Sequence, residues 1–148
     1  MVCTGNICRS PMMERIAAAK ADEAGLDVEV VSGGTSSEEL GNPIDHRARR
    51  VLERAGYDAS NHRASRVSAR DLAEADLVIA AEDHHRSALL RLDPAADVRL
   101  LSEFDPDLPV GTGLPDPWYG DSSDFDETLV SVEAAMPALI AHLRSRTS

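Results

Sequence analysis

Cysteine is scarce in this 148-residue chain, which holds only Cys3 and Cys8. Two thiols five positions apart provide neither a disulfide framework nor a zinc cluster. Basic residues are in the minority, 15 against 26 acidic ones, giving a net charge of −11 with neutral histidines. That balance excludes binding of nucleic acid or anionic membrane by bulk electrostatics, so any anion must be captured by a local site. No apolar run is long enough to span a membrane and no signal peptide precedes the first cysteine, so a cytoplasmic protein is expected. Repeats and linkers are absent too, and the length suits a single domain over residues 1–148 with a sizeable core. Only Met1 and Val2 come before Cys3, too few for a strand of ordinary length, so translation is expected to start upstream.

What is present is concentrated at the start, in Cys3-Thr4-Gly5-Asn6-Ile7-Cys8-Arg9-Ser10-Pro11. A tetrahedral oxyanion needs several donors aimed at one point. Five residues between Cys3 and Arg9 let the backbone curl, so that N–H groups from Thr4 to Cys8 form an anion-binding nest. Gly5 can adopt backbone angles other residues resist, and Asn6 tolerates a left-handed angle while tying the loop with its side chain. Arg9 carries a planar fork that fits two phosphate oxygens. Ser10 as N-cap and Pro11 in the first turn open a helix, whose N-terminus adds N–H groups and positive partial charge. That setting favours the thiolate form of a cysteine, a nucleophile facing the bound phosphoryl group. The plainer alternative, two small core cysteines flanking a turn, does not account for the Gly-Asn pair and the Arg-Ser-Pro exit.

Further along, helical periodicity covers Ser10 to Ala24 and ends at Gly25. Leu26 to Val31 alternates and reads as a strand near an edge. Asp45 caps a helix with Ala48, Val51, Leu52 and Ala55 toward the core, while Arg47, Arg49 and Arg50 read as a solvated face. Ser68 and Asp71 form a capping box for a short helix over 67–71. Leu77 to Ala81 reads as an interior parallel strand. Asp83 caps a helix to Leu92, on which the adjacent His84 and His85 point apart as surface residues and make a poor metal pair. Val98 to Leu101 is a short strand, and 101–120 a long loop of the kind that is functional or disordered. Asp124 to Arg144 is an amphipathic helix that Pro137 should kink near Glu133. The alternation of helices and strands is α/β with a parallel sheet.

The long loop holds Asp116-Pro117-Trp118-Tyr119-Gly120. Alone it would be an ordinary proline turn. Paired with the opening loop, Asp116 suits the acid that protonates a phenol leaving group and then acts as base on water. Trp118 and Tyr119 can wall an aromatic substrate.

Together these residues resemble the low-molecular-weight protein-tyrosine phosphatases over nearly the whole chain. The resemblance implies a three-layer α/β fold, a small parallel sheet of four strands flanked by helices, with the first strand largely absent here. It implies Cys3 as nucleophile, Arg9 on the phosphate, and Ser10 donating to the Cys3 sulfur. Ser32, in Ser32-Gly33-Gly34-Thr35, matches a serine that bonds to the loop asparagine, so it is either the partner of Asn6 or a plain turn serine. Glu38 stands where the family often has an aromatic wall residue, and is either a solvated loop charge or a change in specificity. Ala81-Glu82 stands for Met-Asp and keeps the acidic character. A protective Cys3–Cys8 disulfide is implied as well, against a buried Cys8 thiol that never reacts. Substrates would be phosphotyrosine-bearing proteins, with no cofactor and no metal. Related arsenate reductases need further cysteines, which this chain lacks after Cys8. A protein-arginine phosphatase of the same fold carries Thr in place of Ile7. A non-catalytic phosphate- or phosphopeptide-binding module is the alternative from another class.

Overall fold

The computed structural model describes residues 1–147. Four short strands, β1 (Val2–Cys3), β2 (Gly33–Gly34), β3 (Val78–Ala80) and β4 (Val98–Leu100), form one sheet in the order β2-β1-β3-β4. Every pairing is parallel, with Val2 opposite both Gly33 and Ala80. The helices are α1 (Arg9–Glu23), α2 (His46–Arg54), α3 (Ala69–Glu74), α4 (Asp83–Leu92) and α5 (Ser122–Thr147), with a 3₁₀ turn at Leu101–Phe104.

Two apolar layers explain the arrangement. On one face, Met12, Met13 and Ile16 of α1, Val51 and Leu52 of α2, and Phe125, Val132, Met136 and Leu139 of α5 bury against Cys3 and Ile79. On the other, Leu72 of α3 and Leu89 of α4 pack on Val2, Val78, Ala80, Val98 and Leu100. Strand residues therefore alternate between two covered faces, which is why 77–81 reads as a continuous apolar run. Each such side chain contributes about 1.5–3 kcal/mol by leaving water. No described helix is long and apolar enough to cross a membrane.

The order of the strands positions the site. From β1 the chain crosses to β2 on one side, and β3 then lies on β1's other side. Ligands of open parallel sheets bind at such a reversal, beyond the carboxyl ends of the strands. The loop after β1 and the segment from Ala81 into α4 both border that crevice.

Several expectations are corrected. β1 is as short as the sequence requires, yet it is a central strand. Residues 26–31 form no strand; beside β1, the Met1 amino group donates to the Val31 carbonyl and Gly33 N–H donates to the Met1 carbonyl. The strand falls instead on Gly33–Gly34. α1 starts one residue early, at Arg9, so Ser10 lies inside it and its hydroxyl is free for other work. Ala55 is exposed at the end of α2 rather than in the core. The Ser68–Asp71 capping box forms, but its helix runs over Ala69–Glu74. Glu82, not Asp83, precedes α4 as its cap residue. α5 continues through Pro137, which is exposed.

Candidate active site

Cys3 ends β1, and the next five residues loop into the N-terminus of α1. Cys3 Sγ lies 3.1 Å from Ser10 Oγ and accepts the Ser10 backbone N–H at 3.4 Å. The sulfur thus sits at the helix end that favours negative charge. Asn6 is the residue that makes the turn. Its φ is +59°, it is fully buried, and Gly5 takes no left-handed φ. Asn6 Nδ2 donates to Ser10 Oγ at 2.8 Å and to Ser32 Oγ at 3.0 Å, its Oδ1 accepts from Ser65 N–H, and its carbonyl meets His62 Nε2 at 2.6 Å. Ser32 in turn donates to Glu14 Oε1. Because Ser10 Oγ accepts from Asn6, its own proton is available to the Cys3 sulfur when that is ionised.

Gly34 lets the loop close. A Cβ there would lie 2.5 Å from the Thr4 carbonyl oxygen and 3.3 Å from Asn6 N, both backbone. At Gly5 a Cβ would meet the Glu39 side chain at 3.2 Å. Glu38 is exposed beside it. Ile7 and Cys8 turn into the core beneath the loop. Both cysteines are free thiols, and burial, followed by the Asp45 carboxylate, pushes the Cys8 thiol far up.

Arg9 is buried but reaches the mouth. Its Nη1 donates to the Leu114 carbonyl at 2.7 Å and lies 3.3 Å from Glu82 Oε1, while Nη2 is 3.7 Å from Asp116 Oδ2. Burial alone would raise the Glu82 pKa, but Arg9 and then His84 hold it below the usual carboxylate range. Leu114 N–H donates to the Ala81 carbonyl, so this residue is fastened at both ends and fixes where the long loop passes the site. Two residues on, Asp116 Oδ1 accepts the Trp118 N–H at 3.1 Å, which leaves Oδ2 toward Arg9. Trp118 is partly exposed and Tyr119 almost fully so.

Arg47, expected on a solvated face, is instead a clamp. It pairs with Asp45, donates to the carbonyls of Trp118 and Gly120 at 3.2 and 3.3 Å, and lies over the rings of Trp118 and Phe125. His85 is also corrected. It is fully buried, its ring centre is 3.9 Å from that of His84, and it touches Thr4. Glu82, His84 and His85 bring potential metal-ligand atoms within 4.8 Å of one another. His85 is poorly set for that use, because its Nδ1 lone pair accepts the Glu82 N–H and its Nε2 faces Thr4.

The sequence pattern pointed to Cys3, Arg9, Ser10, Asn6, Ser32 and Asp116; in the structure Cys3, Asn6, Ser10 and Ser32 are joined by hydrogen bonds, and Arg9 of the same loop pairs with Asp116. The sequence did not point to His62, Gly34, His85, Leu114 or Arg47 as site residues, and of Glu82 it showed only that an acidic residue is kept. The Asp45-x-Arg47 spacing could have marked a capping pair. Nothing local marks Leu114, whose place is set by the Arg9 side chain of α1 and the Ala81 carbonyl just after β3.

The family model for low molecular weight phosphotyrosine protein phosphatase matches residues 1–148. Low molecular weight protein-tyrosine phosphatase A of Mycobacterium tuberculosis is 44% identical over 93% of this chain and 86% of its own. The low molecular weight protein-tyrosine-phosphatase of Streptomyces coelicolor is 42% identical over 98% and 92%. Among solved structures, a protein tyrosine phosphatase from Entamoeba histolytica superposes with a TM-score of 0.89 at 27% identity, covering 99% of this chain and 96% of that one. The low molecular weight protein tyrosine phosphatase from T. tengcongensis gives 0.87 at 34%, with 95% of each chain covered.

Proposed function

The chain belongs to the low molecular weight phosphotyrosine protein phosphatase family, and on that premise we propose that it hydrolyses phosphotyrosine in proteins through a phosphocysteine. The observation that carries the reading is that Asp116, from the far end of the chain, meets Arg9 of the loop that opens with Cys3. The Cys3 sulfur sits at the N-terminus of α1, the adjacent Arg9 leads out of the same loop, and Asp116 Oδ2 lies 3.7 Å from Arg9 Nη2.

In the first step Cys3 thiolate attacks phosphorus. The S–P bond forms, the P–O bond to the tyrosine ring breaks, and the Asp116 carboxylic acid gives its proton to the departing phenol oxygen. Arg9 and the N–H groups of residues 4–8 hold the equatorial oxygens throughout, and the helix end stabilises their charge. In the second step water attacks the phosphocysteine and passes a proton to Asp116. The P–S bond breaks, Ser10 hydroxyl donates to the departing sulfur, and phosphate leaves. Trp118 and Tyr119, exposed beside Asp116, offer aromatic surface to a phosphotyrosine ring. A cytoplasmic setting, where thiols stay reduced, suits a free Cys3.

The test is hydrolysis of aryl phosphates with leaving groups of graded basicity. Cys3→Ser is expected to abolish turnover. Asp116→Asn is expected to slow esters with poor leaving groups most, and equal slowing across the series would remove Asp116 from the acid role. Stoichiometric phosphate binding by a folded wild-type protein without turnover would favour the non-catalytic binding module.

A further inference from the structure

The loop that binds phosphate has one side chain whose hydroxyl is held from outside the loop. Thr4, directly after Cys3, is exposed at the mouth, and its Oγ1 lies 2.7 Å from His85 Nε2. His85 itself is fully buried in the first turn of α4. Its other nitrogen, Nδ1, faces the Glu82 N–H at 3.1 Å. A backbone N–H can only donate, so Nδ1 must accept and the neutral ring must carry its proton on Nε2. His85 is therefore the donor to Thr4 Oγ1. An oxygen that accepts there has its own proton turned away from the histidine.

The surroundings say where that proton is useful. Thr4 and His85 face each other across the β1–β3 reversal, and Arg9, Glu82 and Asp116 are all near enough to act electrostatically on the His85 ring. Thr4 Oγ1 is thus at the crevice shared by the nucleophile, the arginine and the acid. We propose that His85 is a positioning residue, which fixes the Thr4 hydroxyl as an additional donor to the oxygens of the bound phosphoryl group. A free threonine rotor would have to be ordered during the reaction. One held beforehand by a buried ring contributes without that cost. The chain from α4 through His85 to Thr4 also couples the start of α4 to the phosphate loop, at a point where the Asn6 network does not reach.

This inference rests on the phosphatase reading and is separable from it. The experiment is steady-state hydrolysis of an aryl phosphate, with inhibition by inorganic phosphate, for wild type, Thr4→Val, Thr4→Ser, His85→Gln, His85→Leu and Thr4→Val combined with His85→Leu. A hydrogen bond to a charged group is worth roughly tenfold to a hundredfold in binding or rate. Thr4→Val is expected to lower kcat/KM and weaken phosphate inhibition by about tenfold, with Thr4→Ser restoring most of both. His85→Gln, which can still donate to Thr4, is expected to retain more activity than His85→Leu. The double variant is expected to be no worse than the poorer single one, because both changes break one chain. Thr4→Val sits on the surface and tests the idea even if His85→Leu fails to fold. Thr4→Val with wild-type kinetics and wild-type phosphate inhibition would overturn the proposal while leaving the Cys3 chemistry intact. Additive losses in the double variant would overturn it too, by showing that His85 does not act through Thr4.

Discussion

The Arg47 guanidinium lies 5.4 Å from the centre of the Trp118 ring and donates to the Trp118 carbonyl at 3.2 Å. One side chain from the first turn of α2 thereby holds both the backbone and the aromatic face of the loop that carries Asp116. Asp45 holds it in turn, capping α2 through the N–H groups of Arg47 and Ala48 and pairing with the Arg47 side chain.

Arg47→Ala is therefore expected to loosen Asp116 rather than the phosphate site. The loss should be about tenfold or more for aryl esters with basic leaving groups, and smaller for activated esters, by the leverage a misplaced acid has on proton transfer. Arg47→Lys keeps the charge but loses the planar stacking and the two-pronged donation. The dependence of kcat on leaving-group basicity measures this, and an unchanged slope in Arg47→Ala would contradict it.

Gly34→Ala should fail for steric reasons alone. The new Cβ would sit 2.5 Å from the Thr4 carbonyl oxygen, and backbone atoms leave it no flexible neighbour to displace. The expected cost is about 1–3 kcal/mol of stability together with weaker phosphate binding. Urea unfolding and phosphate titration check this; a variant as stable as wild type, binding phosphate equally well, would show that the loop does not depend on this approach.

Stability should fall in mild acid because of His85. Burial, then the charges of His84 and Arg9, push its pKa from the ordinary 6.5 to about 4, against the opposing pull of Glu82 and Asp116. Below pH 6.5 the unfolded chain takes up a proton that the folded ring refuses. The stability is whole above about 6.5 and is lost as pH falls toward about 4, with little further loss from this group below that. A difference of that size corresponds to roughly 3 kcal/mol. Denaturant titrations from pH 7 to 4 should show this slope, and His85→Gln should flatten it. An equal slope in both would place the acid sensitivity elsewhere.

Much of this was legible in the sequence, and the exceptions have physical causes. The opening loop was readable because Cys3, Asn6, Arg9 and Ser10 act within one turn and one helix start. Asp116 was readable only with that loop, since Asp-Pro alone marks any turn. The strand expected at 26–31 failed because alternation cannot show whether a partner strand is present; the ladder that exists lies on two glycines that carry no pattern. His85 looked like a surface residue because adjacent helical positions usually diverge. At the first turn its ring folds back onto the Glu82 N–H, which only the loop-to-helix geometry reveals. Arg47 looked solvated because its partners, Trp118 and Gly120, come more than seventy positions later.

In the proposed mechanism Cys3 carries the phosphoryl group between the two steps. The most direct test is rapid acid quenching of the protein during turnover of an aryl phosphate, followed by peptide mass analysis. One phosphoryl group on the peptide that contains Cys3, absent in Cys3→Ser, is the predicted result. Continued phosphate release with no modified Cys3 peptide, or turnover retained in Cys3→Ser, would contradict it.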